Sequence, residues 1–169
     1  LFCDVVGRLQ SHVAVTGFVM PTLAHLRDRL VDETRTWPAP VEIVTTPEAR
    51  QSAFSGAVAA LAGAGTVTLE LAMMDVPSVG TYVPDFLQMR AYKRWGQPLI
   101  GLPNIILGEA IVPEIPPGDG HADRITAALV RLIEDDTARQ HQRDGYARVR
   151  DEIVNGLPGN ERQSAALRV

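Results

Sequence analysis

Short apolar runs that suit β-strands alternate along this chain with stretches whose apolar residues recur at helical spacing. That alternation limits the fold more than any other feature. Residues 12–18 (His-Val-Ala-Val-Thr-Gly-Phe), 41–45, 57–62 and 78–83 are rich in β-branched or small apolar side chains and read as strands. Residues 57–62 are apolar throughout, as expected of a strand covered on both faces. After Pro21-Thr22, Leu23, Leu26, Leu30 and Val31 share one helical face, and Pro38 and Pro40 end that helix. Residues 47–54 form a short polar helix, and Val67, Leu71 and Met74 mark the face of another, which Pro77 stops. Strands alternating with helices are joined by crossovers and lie parallel. The expected class is therefore α/β, a Rossmann-like parallel sheet flanked by helices.

The two ends of the chain read differently. Leu1-Phe2-Cys3-Asp4-Val5-Val6 looks like part of a helix rather than a start, so the chain is expected to be the tail of something longer. Residues 97–120 carry Pro98, Pro103, Pro113, Pro116 and Pro117 with several glycines, which predicts a long loop-rich crossover. Two helices close the chain, one with Ile125, Leu129, Leu132 and Ile133, the other with Tyr146, Val149 and Ile153. Asp135-Asp136 between them predicts a cap for the last helix.

At 169 residues the chain suits one domain, here expected over 1–169 and incomplete at its amino end. Hydrophobic residues at 46% and charged ones at 21% argue against a disordered or collagen-like chain. A formal net charge of -4 supplies no basic face, so no nucleic acid is expected as partner. The single cysteine, Cys3, excludes an internal disulfide and a cysteine-rich zinc site. His12, His25, His121 and His141 are scattered without ligand spacing, so no metal and no cofactor are expected. Every apolar stretch falls far short of the ~20 residues a membrane span needs. No G-x-S-x-G nucleophile turn occurs.

The chemistry concentrates at Gly63-Ala64-Gly65-Thr66-Val67-Thr68-Leu69-Glu70, where the buried third strand gives way to a helix. In open parallel sheets ligands bind beyond the carboxyl ends of the strands. Glycines there let a ligand approach the backbone, and free N–H groups at a helix start, with the Thr66 and Thr68 hydroxyls, suit phosphate oxygens. Glu70 lies one turn in from Thr66, where a carboxylate can accept two hydrogen bonds from a cis-diol such as ribose. The same residues also suit plain helix–sheet packing, with Glu70 complementing the helix dipole. The spacing matches neither GxGxxG nor a P-loop.

Three blocks of the sequence together resemble lipid-A-disaccharide synthases, a GT-B glycosyltransferase family of outer-membrane biosynthesis. They are residues 64–72 (Ala-Gly-Thr-Val-Thr-Leu-Glu-Leu-Ala), Val76-Pro77-Ser78-Val79 with Tyr82, and Leu102-Pro103-Asn104 through Val112-Pro113-Glu114; Gly159-Asn160-Glu161-Arg162 extends the likeness. The resemblance implies the carboxyl-terminal, second domain of a GT-B fold, holding UDP, with two carboxyl-terminal helices. It implies transfer of a diacylated glucosamine from UDP to a lipid-linked monosaccharide acceptor, with inversion. It assigns Gly65, Thr66 and Thr68 to the diphosphate, Glu70 to the ribose, and Tyr82 and Asn104 to the cleft near sugar or acceptor. The presumed base and the acceptor face fall in an absent amino-terminal domain, so this segment alone is expected to be inactive, with no catalytic residue of its own. A cytoplasmic protein, peripheral on the inner membrane, is implied.

Departures from the family pattern are specific. Val83 stands where an Arg commonly follows the Tyr, residues 115–118 (Ile-Pro-Pro-Gly) replace a stretch that commonly carries Gln, and Gly63-Ala64-Gly65 replaces Ala-Ser-Gly. Val83 and the Pro116-Pro117 stretch keep a degenerate, non-catalytic nucleotide-sugar-binding module as an alternative; another UDP-sugar GT-B enzyme is the other alternative, against which residues 102–114 argue. Residues 86–95 combine apolar and aromatic side chains with Arg90, Lys93, Arg94 and Trp95. That stretch reads either as an interfacial helix touching lipid or as an ordinary surface helix. Oligomerisation is left open.

Overall fold

The computed structural model describes residues 1–82, 90, 94 and 99–156. The order of elements is α1 (Phe2–His12), β1 (Phe18–Pro21), a 3-10 turn (Ala24–Leu26), α2 (Arg27–Thr34), β2 (Val41–Val44), α3 (Pro47–Gly56), β3 (Ala60–Gly63), α4 (Thr66–Met73), β4 (Ser78–Thr81), α5 (Leu102–Leu107), β5 (Glu114–Ile115), α6 (His121–Glu134) and α7 (Asp136–Asn155). Among the described residues all strand pairs are parallel, in the orders β1-β2 and β3-β4-β5. The chain is thus a Rossmann-like α/β fold.

The central strand β4 organises the packing because its side chains alternate between two helical layers. Val79 joins Val5 and Leu9 of α1 and Ile125, Leu129 and Leu132 of α6 in one apolar cluster. Phe18 of β1 and Leu61 of β3 pack on the same cluster, although their strands belong to separate ladders. Ser78, one residue before Val79, meets α7 instead. Its N–H donates to Gln142 Oε1 at 2.8 Å, and its carbonyl accepts from Gln142 Nε2 at 3.0 Å. Pairing of β4 with β5 begins only at Gly80, so the Gln142 amide satisfies backbone groups that β5 does not reach. The Tyr146 hydroxyl donates to the same Oε1 at 2.8 Å and lies 3.1 Å from Ser78 Oγ. On that side Tyr146 and Val149 pack with Ala72, Ile111 and Val112.

Helix ends follow their sequence signals. Thr46 accepts from Ala49 N at 3.2 Å with Pro47 in the first turn, which starts α3. Asp135 accepts from the N–H groups of Thr137 and Ala138, while Arg139 donates to the carbonyls of Leu132 and Ile133. The one-residue corner between α6 and α7 therefore has both its orphan donors and its orphan acceptors served.

Several boundaries differ from the sequence reading. Residues 12–18 are not the first strand: His12 ends α1, and pairing starts only at Phe18. Val13, extended, and Val15 are apolar and pack on the core cluster without a ladder. Pro21 closes β1 instead of opening a helix, and Leu23 is 63% exposed. α4 buries Thr68, Leu71 and Ala72, whereas Val67 and Met74 face solvent. The loop-rich stretch after residue 97 contains α5 and β5, and Ile153 is exposed.

Candidate functional site

The carboxyl ends of β3 and β4 meet at Gly63 and Thr81, which are register partners, and Ala64 N donates to the Thr81 carbonyl at 2.6 Å. The chain then turns through Gly65 with φ +150° and enters α4 at Thr66. Side chains rarely adopt that φ, so glycine is what allows the abrupt strand-to-helix turn. Thr66 and Val67 are exposed, and their N–H groups precede any intrahelical acceptor, so the turn presents donors outward beside Gly65.

Thr68 and Asn104 are placed differently. Thr68 is fully buried, and its hydroxyl donates to the Gly65 carbonyl at 2.6 Å. Asn104 is fully buried as well; its Oδ1 accepts from Val112 N at 2.9 Å and its Nδ2 donates to the Val112 carbonyl at 2.8 Å and to Glu114 Oε1 at 2.7 Å. Gly65, Thr66 and Glu70 lie together at the start of α4, and Tyr82, partly buried, directly follows Thr81 at the end of β4. Arg90 and Arg94 are exposed; Lys93, Trp95 and Val83 lie outside the described residues.

Three neighbours of this turn were not singled out from sequence as site residues. Arg50 of α3 forms an ion pair with Glu70, and its guanidinium carbon lies 5.4 Å from the centre of the Phe54 ring. His121, the first residue of α6, places Nε2 2.9 Å from Thr81 Oγ1 and 3.1 Å from the Ile115 carbonyl, bridging the ends of β4 and β5. Glu114 accepts from the backbone of Ile100 and Gly101. For Arg50 the sequence held one signal, a cation one helical turn before an aromatic residue in the helix preceding the glycine turn.

Among the described residues no group of three or more His, Cys, Asp and Glu could hold a metal ion, and no helix is long and apolar enough to cross a membrane. The arrangement is chemically simple: outward N–H donors, a hydroxyl and a carboxylate at the carboxyl edge of a parallel sheet. These groups offer hydrogen-bond donors and a carboxylate acceptor side by side.

The sequence profile described as lipid-A-disaccharide synthetase matches residues 1–168. A lipid-A-disaccharide synthase of Rhodopseudomonas palustris is 34% identical over 157 residues, covering 92% of this chain and 40% of that protein. The enzyme of that name from Paramagnetospirillum magneticum is 31% identical over 172 residues, covering 98% of this chain and 44% of its own length. That of Rhodospirillum centenum is 32% identical over 151 residues, with 88% and 38% covered. The chain therefore spans about two-fifths of the length of the curated relatives it matches.

Proposed function

This chain belongs to the lipid-A-disaccharide synthetase family, and we propose that it is the carboxyl-terminal, UDP-sugar-binding half of a glycosyltransferase that joins two acylated glucosamines into the lipid A disaccharide. The observation that carries this reading is the turn at Gly65, whose positive φ opens α4 at the carboxyl edge of the sheet, one turn from Glu70. In this reading the diphosphate of the donor lies against the N–H groups of Thr66 and Val67 and the bare backbone of Gly65, and the Glu70 carboxylate accepts the ribose hydroxyls. Tyr82 lines the adjoining cleft toward the sugar. Thr68 and Asn104, both enclosed, hold the surfaces that touch substrate instead of touching it themselves.

The reaction would form a bond between an acceptor hydroxyl oxygen and the anomeric carbon on the face opposite the diphosphate. The bond from that carbon to the UDP oxygen breaks, and UDP departs with the electron pair. The hydroxyl proton passes to a base contributed by a further domain, which would also carry the acceptor face. These 169 residues would then bind donor without turning it over. The fixed donors at the start of α4 stabilise the departing diphosphate without reorganising as charge develops. The divided sheet supports an incomplete domain: we place one more parallel strand, from chain beyond these residues, against the edges of β1 and β3 that carry no strand among the described residues. The lipid-linked acceptor would bring the exposed Arg90 and Arg94 to an anionic membrane surface.

Thermal unfolding with UDP tests the reading. At ~100 times Kd the nucleotide adds about 2.7 kcal/mol of stability, and Glu70→Ala should remove most of that gain. A chain whose unfolding ignores UDP at millimolar concentration would refute the nucleotide site.

A further inference from the structure

The blocks Leu102-Pro103-Asn104 and Val112-Pro113-Glu114 close on each other through one carboxylate. Glu114 Oε2 accepts from Ile100 N at 2.9 Å, and Oε1 accepts from Gly101 N at 2.8 Å and from Asn104 Nδ2 at 2.7 Å. Asn104 in turn holds both backbone groups of Val112. Three donors thus converge on a single side chain at the start of α5, and charge-assisted bonds of this kind are roughly twice as strong as neutral ones.

The closure also touches the glycine turn. A Cβ placed on Gly101 would stand 3.0 Å from Glu114 Oε1 and 3.2 Å from Thr68 Oγ1, so carboxylate and hydroxyl crowd the same face of Gly101. The carboxylate stem lies close to β4 and the turn, since a Cβ on Gly80 would stand 3.6 Å from Glu114 Cγ and 3.7 Å from Ala64 Cβ. Thr68, pressed between these groups, spends its hydroxyl on the carbonyl of Gly65, the residue at φ +150°. A continuous path of contacts therefore runs from Glu114 through Gly101 and Thr68 to Gly65.

We propose that Glu114 is a positioning residue for the Gly65–Thr66 turn: its carboxylate holds Gly101 against Thr68, and Thr68 fixes the Gly65 carbonyl so that the first N–H groups of α4 point outward. With both oxygens engaged by backbone and amide donors, Glu114 serves as an anchor rather than as a base. The role deepens the reading of the turn as a diphosphate site and rests on it for its consequence in binding. The clamp itself stands independently of any ligand.

Two perturbations act on the clamp from different directions. Glu114→Gln removes the charge and turns an amide donor toward backbone donors. Gly101→Ala leaves the charge and pushes a methyl against Glu114 Oε1 and Thr68 Oγ1, at a backbone conformation alanine adopts freely. Residue-resolved amide exchange of the ligand-free chain is the first readout. Both variants should lose protection at the Ile105 amide, which bonds to Gly101, and also about tenfold or more at the Thr68 amide, which bonds to Gly65. The amides of Leu129 and Val149 should keep theirs. Loss at Ile105 with Thr68 unchanged would overturn the proposal, as would uniform loss across all four positions.

UDP titration is the second readout, as a double-mutant cycle with Thr68→Val. Glu114→Gln should weaken UDP about tenfold in the native background and add almost nothing once Thr68 is Val. Full additivity would mean that Glu114 does not act through Thr68 and would sink the proposal. A native chain that fails to bind UDP while the exchange pattern holds would instead count against the nucleotide reading and leave the clamp established.

Discussion

Arg50 on α3 and Glu70 on α4 form an ion pair across the entrance to the glycine turn, with the Arg50 guanidinium also over the Phe54 ring. Both side chains are more than a third exposed, and solvated pairs of this kind contribute less than about 1 kcal/mol to folding. Arg50→Ala should accordingly shift the unfolding midpoint by little. UDP affinity should fall about three- to tenfold, because the carboxylate loses the partner that aims it. Glu70→Ala should cost more, about ten- to a hundredfold, since the acceptor itself is gone. Isothermal titration of both variants alongside chemical denaturation separates these effects, and a large stability loss in Arg50→Ala would contradict the account.

Tyr146 is completely buried, and burial pushes its hydroxyl up to about 12 from the ordinary 10.0. A raised folded value means that the native state keeps its proton where the unfolded chain has lost it. The stabilisation is therefore complete below about pH 10 and is lost as pH climbs toward 12, by about 2 to 3 kcal/mol in all. Denaturant titrations at pH 9, 10, 11 and 12 should show this fall. In Tyr146→Phe the fall should flatten, at the expense of lower stability near pH 7, where Ser78 Oγ and Gln142 Oε1 each lose a partner.

Gly145 sits in the middle of α7, where a Cβ would come within 3.0 to 3.1 Å of three side-chain atoms of Ile111. Ile111 is buried in the cluster with Tyr146 and Val149 and has little room to yield. Gly145→Ala should therefore destabilise by about 1 to 3 kcal/mol, reversing the gain alanine usually brings to a helix. Ile111→Val in the same chain should recover part of the loss, which thermal melts of the single and double variants would reveal.

Asp135→Ala removes the acceptor for two N–H groups at the start of the 20-residue helix α7. A loss of about 1 kcal/mol is expected, with Asp135→Asn recovering most of it. Equal melting temperatures for the native and alanine chains would show that water replaces the cap without cost.

How much of this was legible in the sequence depends on which force set each feature. The strand-to-helix turn at Gly65 was readable because an apolar run ending in glycines has few other uses. The strand itself is only Ala60–Gly63, with Ala62 alone buried and Val58 exposed, and not a run covered on both faces from residue 57. The Asp135 cap was readable because it is a local backbone requirement. Val13 and Val15 misled because β-propensity reports a fit to a pleated, half-buried surface, which they have, and not the presence of a partner strand, which they lack. The face of α4 misled for a related reason. Periodicity ranked Val67 above Thr68, but a threonine hydroxyl bonded to Gly65 can be buried at little cost. Arg50 and Glu70 are twenty positions apart on different helices, and nothing in either segment announces the other. The bonds of Asn104 were hidden for the same reason: its amide closes a loop that becomes visible only in three dimensions.

The division of the parallel strands into two ladders has a practical consequence for anyone handling these 169 residues. Among the described residues β1 and β3 each carry one edge with no strand beside it, and neither edge is blunted by a charged side chain. Such edges accept any extended chain within reach. In a concentrated preparation the nearest extended chain is another copy, so self-association should rise steeply with concentration. A short peptide of high β-propensity supplied in excess should suppress it, acting as a lid on a seam that the described residues leave open.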